Sequence, residues 1–494
     1  MRTVKAVGRS AGIAATAAVV MVLNVPSAHA AVPLTQIIVD PFTNTTSQHQ
    51  AAVEPDTFAF GNTIVTVTQS GRFFDGGGSD IGYATSTNGG VSWTQGVLPG
   101  ITPYNGGGGT FERVSDASVA YDARHNVWLI SSIPITSSVT VPNVFVSRST
   151  DGGLNFGDPV TVASGSTSFD KNWTVCDNTA TSPFYGNCYT EFDDNAAGDR
   201  LKMSTSTDGG LTWGPALNAG NNATGLGGQP VVQPNGTVIV PAATANESGI
   251  IAWRSTNGGA SWSSTVTVSA VTDHAPAANL RSGPLPSAEI DAAGKVYVAW
   301  QDCRFRRGCK SNDIVFSTST DGMSWSPVSR VPIDATTSSV DHFIPGLGVN
   351  PATSGATAQL GLTYYFYRDT SCGKRANNPC QLEVGYIQSN NGGSTWDTHT
   401  DVAGPFNIAL TPDTSQGRMV GDYISTSWVA GKAYGAFAVA KVPTGSFAFD
   451  QAIYVPTGGS SAATSGFVNT SNGDHPVPGA ASDHAAPTSP IRNR

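Results

Sequence analysis

The strongest constraint on this chain is a short frame that keeps returning: Ser206-Thr-Asp208-Gly-Gly210-Leu-Thr-Trp213. Close copies occupy residues 86–93, 149–156, 255–262 and 389–396, and residues 319–325 hold the same frame one position shorter. Its chemistry is that of a hairpin turn. The Asp or Asn side chain bonds back to the backbone, glycine accepts positive φ, and the serine adds a further local bond. The closing Trp or Phe anchors the turn on apolar surface. One copy means a hairpin. Six copies, with aromatics at 93, 156, 213, 262, 325 and 396, mean that one supersecondary unit recurs roughly every 60 residues.

Each unit holds more than its turn. In the third, Trp173-Thr-Val-Cys176 reads as a first strand, residues 187–192 as a second and residues 201–205 as a third, with a short fourth strand after the frame. Four short strands joined by turns describe one blade of a β-propeller. The same parse fits the units before and after it. Beyond the sixth frame lie three more strands without a frame, around residues 423–427, 434–439 and 452–455. Gln36-Ile-Ile-Val39, alone near the start, can supply their fourth. Such pairing would close the ring and remove its exposed edges. The expected fold is therefore an all-β propeller of four-stranded antiparallel blades, seven by this count and six as the alternative. It would span residues 31–456, with residues 457–494 a disordered tail rich in Gly, Ser, Ala and Pro.

Composition agrees and also excludes. Charged residues are only 12% of the chain, against 56 glycines and 30 prolines, which suits strands and turns over helices. The formal charge of -9 offers no basic footprint, so nucleic acid is not an expected partner. Residues 1–30 read as a secretory signal. Arg2, Lys5 and Arg9 precede an apolar run, and Ala28-His29-Ala30 provides a small-x-small cleavage site after Ala30. No later run is long and apolar enough to span a membrane, so an exported, soluble monomer is expected. The six cysteines form three sequence-local couples, Cys176/Cys188, Cys303/Cys309 and Cys372/Cys380. Their spacings match no zinc pattern, and an exported chain favours structural disulfides. No cofactor and no metal is expected.

Repeated Ser-x-Asp-x-Gly-x-x-Trp turns resemble those of the Asp-box proteins, most directly the bacterial sialidases. The resemblance covers residues 80–396 or thereabouts and implies a propeller whose substrate lies on the face opposite the boxes. It implies glycan substrates, a three-arginine clamp for a sugar carboxylate, a Tyr nucleophile with a Glu partner, and an Asp acid/base. Carried onto this sequence, Asp75 is the acid/base, with Asp80 second. Tyr423, in Gly421-Asp422-Tyr423, is the nucleophile, and Glu191 is its partner. Arg281, Arg304 and Arg418 form the clamp, with Arg113 a fourth option. One departure is plain. Where sialidases carry an Arg-Ile-Pro-like motif, this chain reads Val53-Glu54-Pro55, with no arginine.

The loops of that same face carry an unusual share of the charge even without the family. Asp116, Asp170, Lys171, Trp173, Asp302, His342 and Asp422 join the residues already named. Carboxylates, arginines and aromatics around one pocket suit a multiply hydroxylated ligand. The leading expectation is a sialidase-like glycoside hydrolase that removes a terminal sugar. A polysaccharide lyase using His342 or a Tyr as base, and a glycan-binding propeller without catalysis, are the two alternatives.

Overall fold

A computed structural model describes residues 32–375 and 377–461 and the backbone of the strand Phe467–Asn469. The expected signal lies outside the described residues. Among those residues, helix is confined to short 3-10 turns, and none is long and apolar enough to cross a membrane. The rest is strand and turn, in antiparallel sets of four.

The first set is Gln48–Phe60, Thr63–Arg72, Gly78–Ser86 and Thr94–Val97. Later sets begin with the inner strands Arg113–Asp122, Phe169–Cys176, Val231–Val232, Ser287–Ile290 and Asp341–Val349. The last runs Ser425–Val429, Lys432–Ala440 and Gln451–Pro456, and its fourth strand is Leu34–Ile38 from the other end of the chain. Thr35 stands opposite Val455 and Gln36 opposite Tyr454. A strand that would present a bare edge is thus covered by 34–38.

Both faces of most sets are buried, which is why strands such as Val127–Ile135 are buried along their whole length and mainly apolar instead of alternating. Each core cluster draws on neighbouring sets. Val65, Ile81 and Tyr83 of the first pack with Val119, Trp128 and Ile130 of the second. Tyr297 and Phe316 of the fifth pack with Leu360, Leu362 and Trp396 of the sixth. No set can bury its own surface, so the sets are stable only side by side.

The six frames fold alike, between the third and fourth strands of their sets. In the third, Ser206 Oγ donates to Asp208 Oδ1 at 2.9 Å and accepts from Gly210 N at 2.9 Å, while Thr212 N donates to Asp208 Oδ1 at 2.9 Å. The closing aromatic docks on the preceding set: Phe156 meets Tyr83 edge-on at 4.8 Å, and Trp396 meets Phe316 at 5.9 Å.

All three expected disulfides are present, Cys176–Cys188, Cys303–Cys309 and Cys372–Cys380. The first crosses the first two strands of its set, where the two residues are direct partners. Within the stretch read as a structureless tail, Ser460 bridges to Ala433 and Phe467–Asn469 pairs with Thr395–Asp397.

Candidate functional site

A repeated irregularity in the inner strands builds the site. Pairing with the second strand slips between Val53 and Asp56, between Ser115 and Ser118, between Asp170 and Trp173, and between Phe343 and Gly346. At each slip sits a non-glycine residue with positive φ: Glu54 at 56°, Asp116 at 49°, Lys171 at 50° and Ile344 at 51°. Gly227, at 63°, holds the same place in the fourth set. Such bulges re-aim a side chain next to functional sites, and side chains other than glycine hold this conformation only where the surroundings enforce it.

The surroundings here are the neighbouring sets. The bulge frees a backbone N–H three residues on, and the preceding set supplies an acceptor two residues past its own equivalent place. Val119 N donates to Asp56 at 2.8 Å, Thr174 N to Ser118 at 2.9 Å, and Ala288 N to Gln229 at 2.9 Å. Leu347 N donates to Ser287 at 3.0 Å, and Thr57 N to Ser425 at 2.7 Å.

Three of the re-aimed side chains converge on Asp422. Lys171 Nζ lies 2.6 Å from Asp422 Oδ2, 3.9 Å from Asp116 Oδ1 and 4.0 Å from Glu54 Oε1. Arg281 grips Asp422 with two donors, Nε at 2.6 Å from Oδ1 and Nη2 on Oδ2. Glu54 accepts from the Asp422 backbone N–H at 3.3 Å and from the Gln69 amide, which is itself held by Arg72. Beside this cluster Trp173 meets Tyr423 edge-on at 5.2 Å.

The environments drive these carboxyl groups apart. Burial, then the negative charge of Asp422, pushes Glu54 up to about 8, against the opposing pull of Lys171. Burial acts on Asp422 too, but Arg281 and Lys171 overrule it and hold Asp422 well below the usual carboxylate range. Asp116 is also held low, chiefly by Lys171 against its own burial. Near neutral pH one acid is protonated among two ionised ones, all at the same spot. Such a split is how a fold assigns acid and base roles to chemically similar groups.

The structure distributes the residues singled out from sequence more widely than expected. Asp75 is half exposed on the loop between the second and third strands of the first set and is paired with Arg113, whose guanidinium also covers the Phe73 ring at 4.4 Å. Asp80 is buried and accepts from Thr102 at 2.7 Å. The three arginines of the clamp have separate partners. Arg281 is on Asp422, whereas Arg304 is on Asp302, at 2.9 and 2.6 Å. Arg418 donates to the Thr411 carbonyl at 2.8 Å. Asp302 also accepts from Thr272 at 2.9 Å and belongs to that outlying pair. The carboxylates bearing on Tyr423 are Glu54, Asp116, Asp56 and Asp422, in place of Glu191. Together with burial they drive the phenol far above its ordinary value, and its hydroxyl donates to the Ala117 carbonyl at 3.3 Å. Glu191 stands opposite Trp173, fully buried against Gly228, and burial keeps it well above the usual range. His342 is buried beside Asp334, and desolvation pulls it down to about 3, so it is neutral near pH 7.

Two other polar groups look chemical and are not. Asp313 and Asp334, which lie near His342, accept from Arg306 and Arg330. The positive charge that a cation would bring is already there. Ser47, His49 and Asp40 have the connectivity of a hydrolase triad, with Ser47 Oγ 3.1 Å from Nε2 and Asp40 2.7 Å from Nδ1. However, Nε2 also lies 2.7 Å from the Asn44 carbonyl, an acceptor only. Both ring nitrogens must then donate, and the ring is a bridge instead of a base.

Sequence reasoning missed Glu54 and Gln69. Glu54 had one legible signal: it stands two residues before the strand position occupied by Asp56, as Asp116 does before Ser118 and Lys171 before Trp173. Aligning the units on their inner strands, in place of their turns, would have collected all three.

No protein-family model matches the chain, and no curated protein matches it. Several solved structures are similar to it. An ulvan lyase is 10% identical over 86% of this chain and 96% of its own, with a TM-score of 0.49. An α-L-arabinanase from Penicillium chrysogenum is 12% identical over 86% of this chain and 99% of its own, with a TM-score of 0.45. The NanB sialidase from Streptococcus pneumoniae is 12% identical over 85% of this chain and 70% of its own, with a TM-score of 0.40.

Proposed function

We propose that this protein is an exported carbohydrate-active enzyme of glycosidase type, with its chemistry centred on Glu54. The observation that carries this reading is the convergence of Glu54, held protonated near neutral pH, with the ionised Asp116 and Asp422 at one point reached from several sets. Glycoside cleavage needs an acid to protonate the departing oxygen and fixed negative charge to face the positive charge that develops on the sugar ring. Glu54 serves as the acid, and Asp116 and Asp422 supply the charge. Lys171 and Arg281 keep both carboxylates ionised and fix their positions. A fixed polar site of this kind stabilises a developing charge without having to reorganise.

The seven four-stranded sets are read as blades of one ring, closed by Leu34–Ile38 and strapped by the inter-set bonds described above. Three disulfides favour an oxidising compartment, in keeping with export. Sialic acid is a less favoured substrate than a neutral or differently charged sugar, because Arg281, Arg304 and Arg418 direct donors to Asp422, Asp302 and Thr411. Elimination with His342 as base is less favoured too, since His342 is buried near Arg306 and Arg330. Turnover of a panel of chromogenic glycosides and plant, algal and animal glycans, with Glu54→Gln as control, tests the reading. Saccharide release that depends on Glu54 supports it. Binding without turnover would make the protein a lectin, and an unaltered rate in Glu54→Gln would remove the proposed acid.

A further inference from the structure

Arg72 is an expensive residue in this fold. It is 2% exposed and makes no ion pair among the described contacts. Its Nε has no partner, and its one side-chain bond runs from Nη1 to Gln69 Oε1 at 2.8 Å. A buried, poorly compensated guanidinium destabilises a fold, so packing alone does not explain it. What it does is constrain a neighbour.

Arginine can only donate, so the Gln69 atom facing it must be the carbonyl oxygen. The other end of that amide is then the NH2, and it faces Glu54 Oε2. An amide N–H can only be accepted, which leaves Oε2 an acceptor. The Asp422 N–H donates to Oε1 at 3.3 Å, with Lys171 Nζ 4.0 Å from the same oxygen, so each carboxyl oxygen of Glu54 faces donors of its own. We propose that Arg72 and Gln69 are positioning residues: acting in series, they hold Glu54 Oε2 and fix the plane of its carboxyl group, with Oε1 turned toward the Asp422–Lys171 side of the cluster. This inference rests on the reading of Glu54 as the acid. Without Arg72 the Gln69 amide is free to turn over, and Glu54 would donate its proton sideways to Gln69 Oε1.

The test uses the full chain, the best substrate from the panel, and the variants Arg72→Met, Gln69→Leu and Arg72→Lys. Arg72→Met and Gln69→Leu should lower kcat by roughly tenfold to a hundredfold with little change in KM, the size of loss that misplacing a reacting group produces. Arg72→Met also removes a nearby positive charge, so the alkaline limb of the rate profile should move to higher pH. Arg72→Lys keeps a donor-only cation and should recover much of the rate. Should Arg72→Met fail to fold, Gln69→Leu carries the kinetic test, and Arg72→Lys, which keeps the positive charge, should leave the alkaline limb where it is in the parent. If Glu54→Gln abolishes turnover while both Gln69→Leu and Arg72→Met keep the parent kcat and pH limb, the positioning role is overturned and the acid survives. If Glu54→Gln itself keeps the rate, the acid reading falls first, whatever the other variants do.

Discussion

A carboxyl group in one of the turn frames and a carboxyl group in the Asp422 cluster meet opposite fates. Asp208, partly exposed in its turn, accepts from Thr212 and Leu211 backbone N–H groups; burial pushes its carboxyl up, but these bonds and the Thr212 and Ser206 hydroxyls together outweigh it and hold Asp208 below its ordinary range. Every partner lies within four residues of it. Glu54, 1% exposed, is pushed the other way, up to about 8, by burial and by Asp422 and Asp116, which arrive from other sets. Local bonding makes a turn that repeats. Desolvation among distant partners makes a site that occurs once. The same functional group gives up its proton more readily in one place and holds it to higher pH in the other, and its partners differ in reach.

The comparison can be broken at several points. The largest effect is expected at Glu54: Glu54→Gln should reduce kcat by roughly 10²–10⁴-fold, the usual contribution of a general acid, with the fold retained by circular dichroism. Next comes one substitution made at two places. Asp422→Asn strips the anion from Arg281 and Lys171, whose side chains are only 12% and 10% exposed, and should cost about 3–5 kcal/mol in denaturant unfolding. Asp208→Asn should stay within about 0.5 kcal/mol of the parent, since asparagine already fills that position at 88, 257 and 391. A comparable loss at both places would mean that the turns, too, depend on tertiary charge.

The pH dependence of stability sharpens the contrast further. Glu54 binds its proton more tightly folded than unfolded, between the ordinary 4.5 and about 8. Its contribution is therefore complete below that window and is lost as pH rises through it. Relative to Glu54→Gln, the parent protein should weaken between about pH 5 and 8, as read from paired melting curves. The opposite trend would show that Glu54 is ionised in the native state. The smallest expected effect belongs to Ser206→Ala, which removes the bond to Gly210 N. It should cost about 1 kcal/mol and leave the rate unchanged.

Legibility in the sequence follows the same division. The six frames could be read because each is complete within eight residues, and so could the disulfides, whose cysteines lie 6 to 12 residues apart. Even the pairing of residues 34–38 with the last set was legible, because one strand near the start lacked a partner and one set near the end lacked a strand. Of the expected site, Arg281 and Asp116 do lie in the cluster with Asp422. The side chains of Arg304 and Arg418 turn to Asp302 and Thr411 instead, although the Arg418 carbonyl accepts from the Arg281 N–H at 2.8 Å. A sequence shows which residues can donate, but not which acceptor is closest. Nothing in the sequence shows that Glu54 meets Asp422 and Lys171, for the same reason, and Gln69 carries no charge.

What the sequence determined by itself is the repeat: turn chemistry every 60 residues or so, strands between the turns, and cysteines close enough to join. What only the tertiary structure decided is which side chains leave the regular strand pattern. Glu54, Asp116 and Lys171 point into the cluster because their backbones sit at positive φ, and neighbouring sets hold that geometry through Asp56, Ser118 and Ser425. A conformation that costs free energy locally persists only when contacts from elsewhere more than offset it, and no stretch of sequence contains those contacts.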